Sequence, residues 1–217
     1  MTPLWHPSPN FGERRGGLTP TLIVLHYTAM ESAQAALDRL CDPDCEVSAH
    51  YLIGNDGTVW HMVDEANRAW HAGQGEWRGQ DDVNSRSVGV ELDNTGLHPF
   101  SEPQMTALEA LIDGVMARWG IGPGGVIGHS CMAPGRKSDP GPRFDWARLA
   151  RQNLAERPVP NDGCPPDMAQ FRDLAQAAGF TAEASDDMLL QAVRLRFRAG
   201  AGGPLDRADM AVVRGLA

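Results

Sequence analysis

Residues 22–29 read LIVLHYTA. Four apolar positions in a row, two of them β-branched, fit a short buried strand that delivers His26 at its C-terminal end. Gly125-Val-Ile-Gly128 repeats the device and hands over His129, and SVGVEL at 87–92 places Glu91 near the end of a third strand. Residues 48–63 read as a hairpin: SAHYLIG, the turn Asn55-Asp56-Gly57, then TVWHMV. Ser101 to Trp119 carries the strongest helix signal. Ser101 and Gln104 form a capping box, with Pro103 in the first turn. Met105, Leu108, Leu111, Ile112, Val115, Met116 and Trp119 make one apolar stripe, and Gly120 ends it. Strand and helix signals thus alternate, which predicts an α/β fold.

At 217 residues the chain can form one α/β domain plus a small appendage. A formal charge of −9 argues against unaided binding to nucleic acid or an anionic membrane, since both reward a basic face. No stretch approaches the ~20 apolar residues of a membrane span. The opening residues, MTPLWHPSPNFGERRGG, contain no apolar signal-peptide core. Cys41, Cys45, Cys131 and Cys164 are too few and too irregular for a disulfide scaffold. The expectation is a cytoplasmic protein, or a periplasmic one if an export signal has been removed.

Residues 156–166, ERPVPNDGCPP, break the pattern with four prolines and a glycine and read as a linker. Beyond them lie three helical patterns, Asp167–Ala178, Ser185–Arg198 and Asp206–Leu216, with Ser185 and Asp206 as N-caps. The division expected is 1–155, a linker 156–166, and a three-helix unit 167–217 that is marginal alone and docks on the first domain.

Most histidines do no chemistry, and His26 and His129 alone could be half-buried and hydrogen-bonded. A third residue changes that. Asp139 follows His129 by ten positions on a loop stiffened by Pro140, Gly141 and Pro142. Two imidazoles and a carboxylate, with one position open, form a recurrent catalytic zinc set. Cys131 is the rival third donor, although its spacing of two residues from His129 makes closure of a tetrahedron more strained. Glu91 is a candidate to take a proton from water, against the alternative of an outward-facing edge-strand glutamate. Lys137 is a candidate to stabilise an oxyanion, against the commoner fate of a solvated loop lysine.

These segments resemble the zinc N-acetylmuramoyl-L-alanine amidases, the superfamily that includes phage lysozyme-type amidases and peptidoglycan-recognition proteins. The resemblance rests on LIVLHYTA (22–29), EVSAHYLIGNDGTVWHMV (46–63), RAWHAG (68–73), SVGVEL (87–92) and GHSCMAPGRKSDPGPRFDW (128–146), in the family's order. It implies a central mixed β-sheet flanked by helices and a small C-terminal three-helix, peptidoglycan-binding-like domain. It implies one Zn2+ per chain on His26, His129 and Asp139, with Glu91 and Lys137 as the catalytic pair and Cys131 as packing. The branch it points to acts on muropeptides and their 1,6-anhydro forms, in cell-wall recycling. The rivals are a lytic amidase on polymeric wall and a non-hydrolytic peptidoglycan-binding module. Where many relatives carry Tyr before the histidine equivalent to His50, this chain has Ala49, which leaves Glu91 to supply the basic group. Trp70 and His71 are expected to line the cleft and contact substrate. Trp77 belongs either to the cleft rim or to the core, and His50 is read as structural. His6, His61 and His98 receive no role.

Overall fold

The computed structural model describes residues 2–216. Its strands are β1 (Leu4–Trp5), β2 (Phe11–Glu13), β3 (Leu22–Tyr27), β4 (Tyr51–Ile53), β5 (Val59–His61), β6 (Asn67–Ala69), β7 (Ser87–Leu92) and β8 (Val126–Gly128). Its helices are α1 (Ala33–Leu40), α2 (Val83–Arg86), α3 (Glu102–Trp119), α4 (His129–Met132), α5 (Trp146–Arg151), α6 (Met168–Ala178), α7 (Asp186–Phe197) and α8 (Arg207–Leu216).

Six strands form one mixed sheet in the order β1-β5-β4-β7-β3-β8, and β2 pairs with β6 separately. The run at 22–27 sits inside the sheet, parallel to β7 on one side and β8 on the other. Because β3, β4, β7 and β8 are parallel, their C-terminal ends lie along one edge. That edge is where open α/β sheets place ligand groups. The β4–β5 pair is the expected hairpin, with Gly57 at a φ of 84° in the turn.

Alternation along β3 and β7 then decides which residues face which layer. Ile23 and Leu25, with Val88, Val90 and Leu92, pack beneath Met105, Leu108, Ile112 and Val115 of α3. The opposite face carries Leu22 and Val24, which join Ile127, Cys131 and Met132 in a second cluster. His26 therefore shares a face with Val24, and Ser87, Gly89 and Glu91 of β7 share that face too. In register, His26 is paired with Glu91 and Val24 with Gly89.

Ser101 caps α3 as expected, its hydroxyl accepting from Gln104 N at 3.3 Å, and Gly120 closes the helix in the left-handed region. The other half of the capping box fails. The Gln104 side chain is buried and donates to Ile53 O and Asp93 O, because two strand-end carbonyls beneath the helix have the greater need of a donor.

The three C-terminal helices form where the sequence places them. Ser185 accepts from Met188 N, and Asp206 and Asp209 exchange reciprocal bonds with each other's backbone N–H. Phe171, Phe180, Leu190, Val193, Met210 and Val213 of this bundle belong to the same buried cluster as Val24, Ile127 and Met132. Residues 156–166 lie along α8, with Val159 N donating to Gly215 O and Asn161 Nδ2 to Ala211 O, both at 2.8 Å. Arg196 reaches from α7 into the first domain, where its guanidinium lies 3.5 Å from the Trp146 ring centroid and donates to Val126 O. Trp77 is only 4% exposed and meets Phe180 edge-on, so of its two expected places it takes the core, at the bundle junction. No helix among the described residues is long and apolar enough to cross a membrane.

Candidate active site

Three elements converge at the sheet edge. His26 is the penultimate residue of β3, His129 opens α4 immediately after β8, and the loop that follows folds back so that Ser130 N donates to Asp139 O at 3.0 Å. The loop passes so close to β8 that a Cβ on Gly128 would lie 2.7 Å from Pro140 Cδ. His26 Nδ1 and His129 Nδ1 are 3.0 Å apart, and Asp139 Oδ2 lies 2.9 Å from the first and 3.0 Å from the second. All three residues are buried, and together they can hold a metal ion. Donors around a tetrahedral ion at about 2.0–2.1 Å stand roughly 3.3 Å apart, so a small outward adjustment suffices.

Electrostatics agree with a site for a cation. Burial raises the pKa of Asp139, but the His129 and His26 rings against its carboxylate outweigh that and hold the group well below the ordinary carboxylate range. Burial, reinforced by His129 and opposed by Asp139, lowers His26 to about 4, leaving a neutral imidazole as a metal requires. Its Nε2–H donated to Ala72 O at 2.8 Å, His129 turns its Nδ1 lone pair toward the other two donors. Cys131 is 1% exposed inside the second core cluster, and its thiol is pushed up chiefly by burial.

A cleft of about 400 Å³ opens over these donors, lined also by Trp70, His71, Glu91 and Lys137. Glu91 is not on an edge: β7 lies between β4 and β3, and one carboxylate oxygen is buried with no hydrogen-bond partner. Burial and then Asp139 push its pKa up to about 8, with Lys137 opposing. A half-buried carboxyl with one buried, unpartnered oxygen, beside three converging donors, is poised for proton transfer. The Lys137 loop is held by its own N–H donating to Ala133 O at 3.0 Å.

The other histidines are also placed. His50 accepts from Gly89 N at Nδ1 and lies 3.1 Å from Asn67 O at Nε2, so it is a structural link between strands. His71 lines the cleft, but its ring nitrogens are both engaged inside the protein: Nδ1 lies 3.1 Å from His26 Nε2, and Nε2 lies 3.1 Å from Ser87 Oγ. Three further residues escaped the sequence reading. Arg14 donates to Glu65 O, Asn84 O and Ser87 O; Arg136 donates to Ala72 O and Gln74 O; and Tyr27 meets Ser138 across the mouth. An arginine gives no sequence signal that it caps distant carbonyls. Gly89 did give one, since a glycine inside a strand marks a close approach.

A mixed sheet thus gathers two histidines and an aspartate that could hold a metal ion, with an unpartnered glutamate oxygen beside them, at its C-terminal edge. The chain belongs to the N-acetylmuramoyl-L-alanine amidase family, whose model matches residues 16–142. It is 37% identical over 153 residues to N-acetylmuramoyl-L-alanine amidase AmiD of Escherichia coli, covering 63% of this chain and 54% of that protein's length. It is 33% identical over 160 residues to 1,6-anhydro-N-acetylmuramyl-L-alanine amidase AmpD of Citrobacter freundii, covering 66% of this chain and 86% of that one. Among solved structures, it resembles E. coli AmiD in complex with anhydro-N-acetylmuramic acid-L-Ala-D-gamma-Glu-L-Lys, with a TM-score of 0.82 and 29% identity over 95% of this chain and 96% of that one. AmpDh3 from Pseudomonas aeruginosa gives a TM-score of 0.82 and 28% identity over 96% and 93%. At 95% and 96% of this chain, both structural matches reach beyond the first 155 residues into the C-terminal helices.

Proposed function

We propose that the chain hydrolyses the amide between N-acetylmuramic acid, including its 1,6-anhydro form, and L-alanine of the peptidoglycan stem peptide. The observation that carries this is the convergence of His26 Nδ1, His129 Nδ1 and Asp139 Oδ2 within 2.9–3.0 Å, with an unpartnered Glu91 carboxyl on the neighbouring strand. Relatives named as 1,6-anhydro amidases, and the anhydro-muropeptide in a structural relative, support the substrate class.

His26, His129 and Asp139 would hold one zinc ion. Bound there, it supplies Lewis-acid chemistry, lowering the pKa of water and polarising a carbonyl oxygen. Glu91, ionised when a cation is near, takes a proton from the water that adds to the lactyl carbonyl carbon. Lys137 offers its ammonium to the oxygen that gains charge in the tetrahedral state. As the C–N bond breaks, Glu91 returns the proton to the departing alanine nitrogen, so protons balance. Trp70 supplies an apolar wall for the sugar or peptide.

Residues 167–217 act in this reading as a brace. Four of their six arginines are committed internally, with Arg207 and Arg214 left exposed: Arg172 pairs with Asp186, Arg194 and Arg198 with Asp209, and Arg196 with Trp146. The test is product analysis on soluble anhydro-muropeptide and on intact sacculi. Cleavage of the soluble fragment with little release from sacculi supports a recycling amidase, and the reverse preference supports a lytic one.

A further inference from the structure

Neutral imidazole has one N–H, so a histidine that binds a metal through Nδ1 must carry its proton on Nε2. For His129 a backbone carbonyl, Ala72 O, fixes that choice directly. His26 has no carbonyl at Nε2. It has His71 Nδ1, 3.1 Å away. The choice matters because Asp139 Oδ2, 2.9 Å from His26 Nδ1, draws a proton onto the very atom whose lone pair is needed.

The direction of the chain can be worked out from its far end. Ser87 Oγ lies 2.6 Å from Val83 O, which can only accept, so the hydroxyl hydrogen goes there. Ser87 Oγ then accepts from His71 Nε2–H at 3.1 Å. With its single proton on Nε2, His71 presents a bare Nδ1, which accepts from His26 Nε2–H. We propose that His71 is a positioning residue rather than a substrate contact: the relay His26–His71–Ser87–Val83 O sets the tautomer and ring orientation of His26.

The surroundings are built for it. A Cβ on Gly89 would lie 2.4–2.7 Å from three atoms of the His71 ring, so only glycine leaves room for the imidazole over β7. Ser87 and Gly89 are on the same face of β7 as Glu91, by the alternation of the strand. The backbone of the segment is pinned as well, with Asn84 Oδ1 accepting from His71 N at 3.1 Å and Ala72 N at 2.8 Å. Two adjacent residues, His71 by its side chain and Ala72 by its carbonyl, therefore orient both imidazoles.

This inference rests on the zinc reading, and its test separates the two. In zinc-loaded, 15N-labelled protein, His71 should be protonated on Nε2 alone, with a 15N–15N coupling across the hydrogen bond from His26 Nε2–H to His71 Nδ1. A proton on His71 Nδ1 overturns the relay without touching the zinc reading. Wild-type protein that binds no zinc overturns the zinc reading, and the tautomer of His71 in that protein still decides the relay. Competition against a chromogenic chelator gives the second readout. His71→Leu should weaken zinc binding 10- to 100-fold, the usual cost of losing an outer partner, while His71→Asn, which keeps an acceptor near the Nδ1 position, should recover most of it. Equal zinc affinity in wild type and His71→Leu, with unchanged melting temperature, overturns the proposal. If His71→Leu does not fold, Ser87→Ala replaces it: loss of the anchor should bring the second His71 tautomer into view, and an unaltered spectrum counts against the relay.

Discussion

Asp139 Oδ2 lies 2.9 Å from His26 Nδ1, although 113 residues separate them in the chain. The contact exists because β8 runs parallel to β3 and the loop after it doubles back on Gly128. It makes Asp139, and not Cys131, the third residue of the cluster that could hold a metal ion. Asp139→Ala should lose zinc by more than the 10- to 100-fold that an outer-partner change costs, while Cys131→Ala should keep it, as metal analysis after dialysis would show. Retained zinc in Asp139→Ala together with loss in Cys131→Ala would reverse the assignment.

Glu91 and Lys137 line the cleft without being among the three donors. Glu91→Gln keeps the shape of the side chain and removes its basicity, so zinc content should hold while kcat falls ~100- to 10,000-fold. Lys137→Ala should likewise keep zinc and lose ~100- to 1,000-fold. Near wild-type turnover in zinc-replete Glu91→Gln would rule out its role as the base.

His50 gives a pH dependence of stability. Burial, with Arg14 adding to it, lowers its pKa from 6.5 to about 3. The unfolded chain takes up this proton near pH 6.5 and the folded chain only near pH 3, so the contribution is complete above the first value and is lost as pH falls toward the second. Between about pH 6 and 4, denaturant melts of wild type should therefore be steeper in pH than those of His50→Gln by about one proton, or ~1.4 kcal/mol per pH unit. His26 titrates in the same direction in both proteins and cancels. Identical slopes would mean that His50 is not held neutral.

Arg196 tests the brace. It is 4% exposed, stacked on Trp146 and bonded to Val126 O. Arg196→Ala removes a desolvated cation–π contact and a charged hydrogen bond, each worth ~2 kcal/mol. The melting temperature should drop clearly, with KM for a soluble muropeptide unchanged. A raised KM at unchanged stability would instead assign the bundle to substrate binding.

Much of this fold and site is legible in the sequence. The strands that bring His26, Glu91 and His129 to the sheet edge could be read because buried strands are short apolar runs and a polar residue near the end of one stands out. The bundle helices showed through their caps, Ser185 and Asp206. What could not be read were the partners of long polar side chains. Gln104 matches a capping box by spacing, yet its amide serves two carbonyls 51 and 11 residues away. His71 matched a cleft-lining aromatic motif, and nothing local says that its ring is engaged with Ser87 and His26. Trp77 and Arg196 are junction residues whose partners lie on the other side of the linker, beyond the reach of periodicity.

The most direct test follows the products of soluble anhydro-muropeptide by mass spectrometry, with zinc-loaded and chelator-treated enzyme side by side. The account expects free anhydro-N-acetylmuramic acid and an intact peptide beginning with L-alanine, formed only by the zinc-loaded protein and restored when zinc is returned. Cleavage at any other bond, or undiminished cleavage after zinc removal, would contradict it.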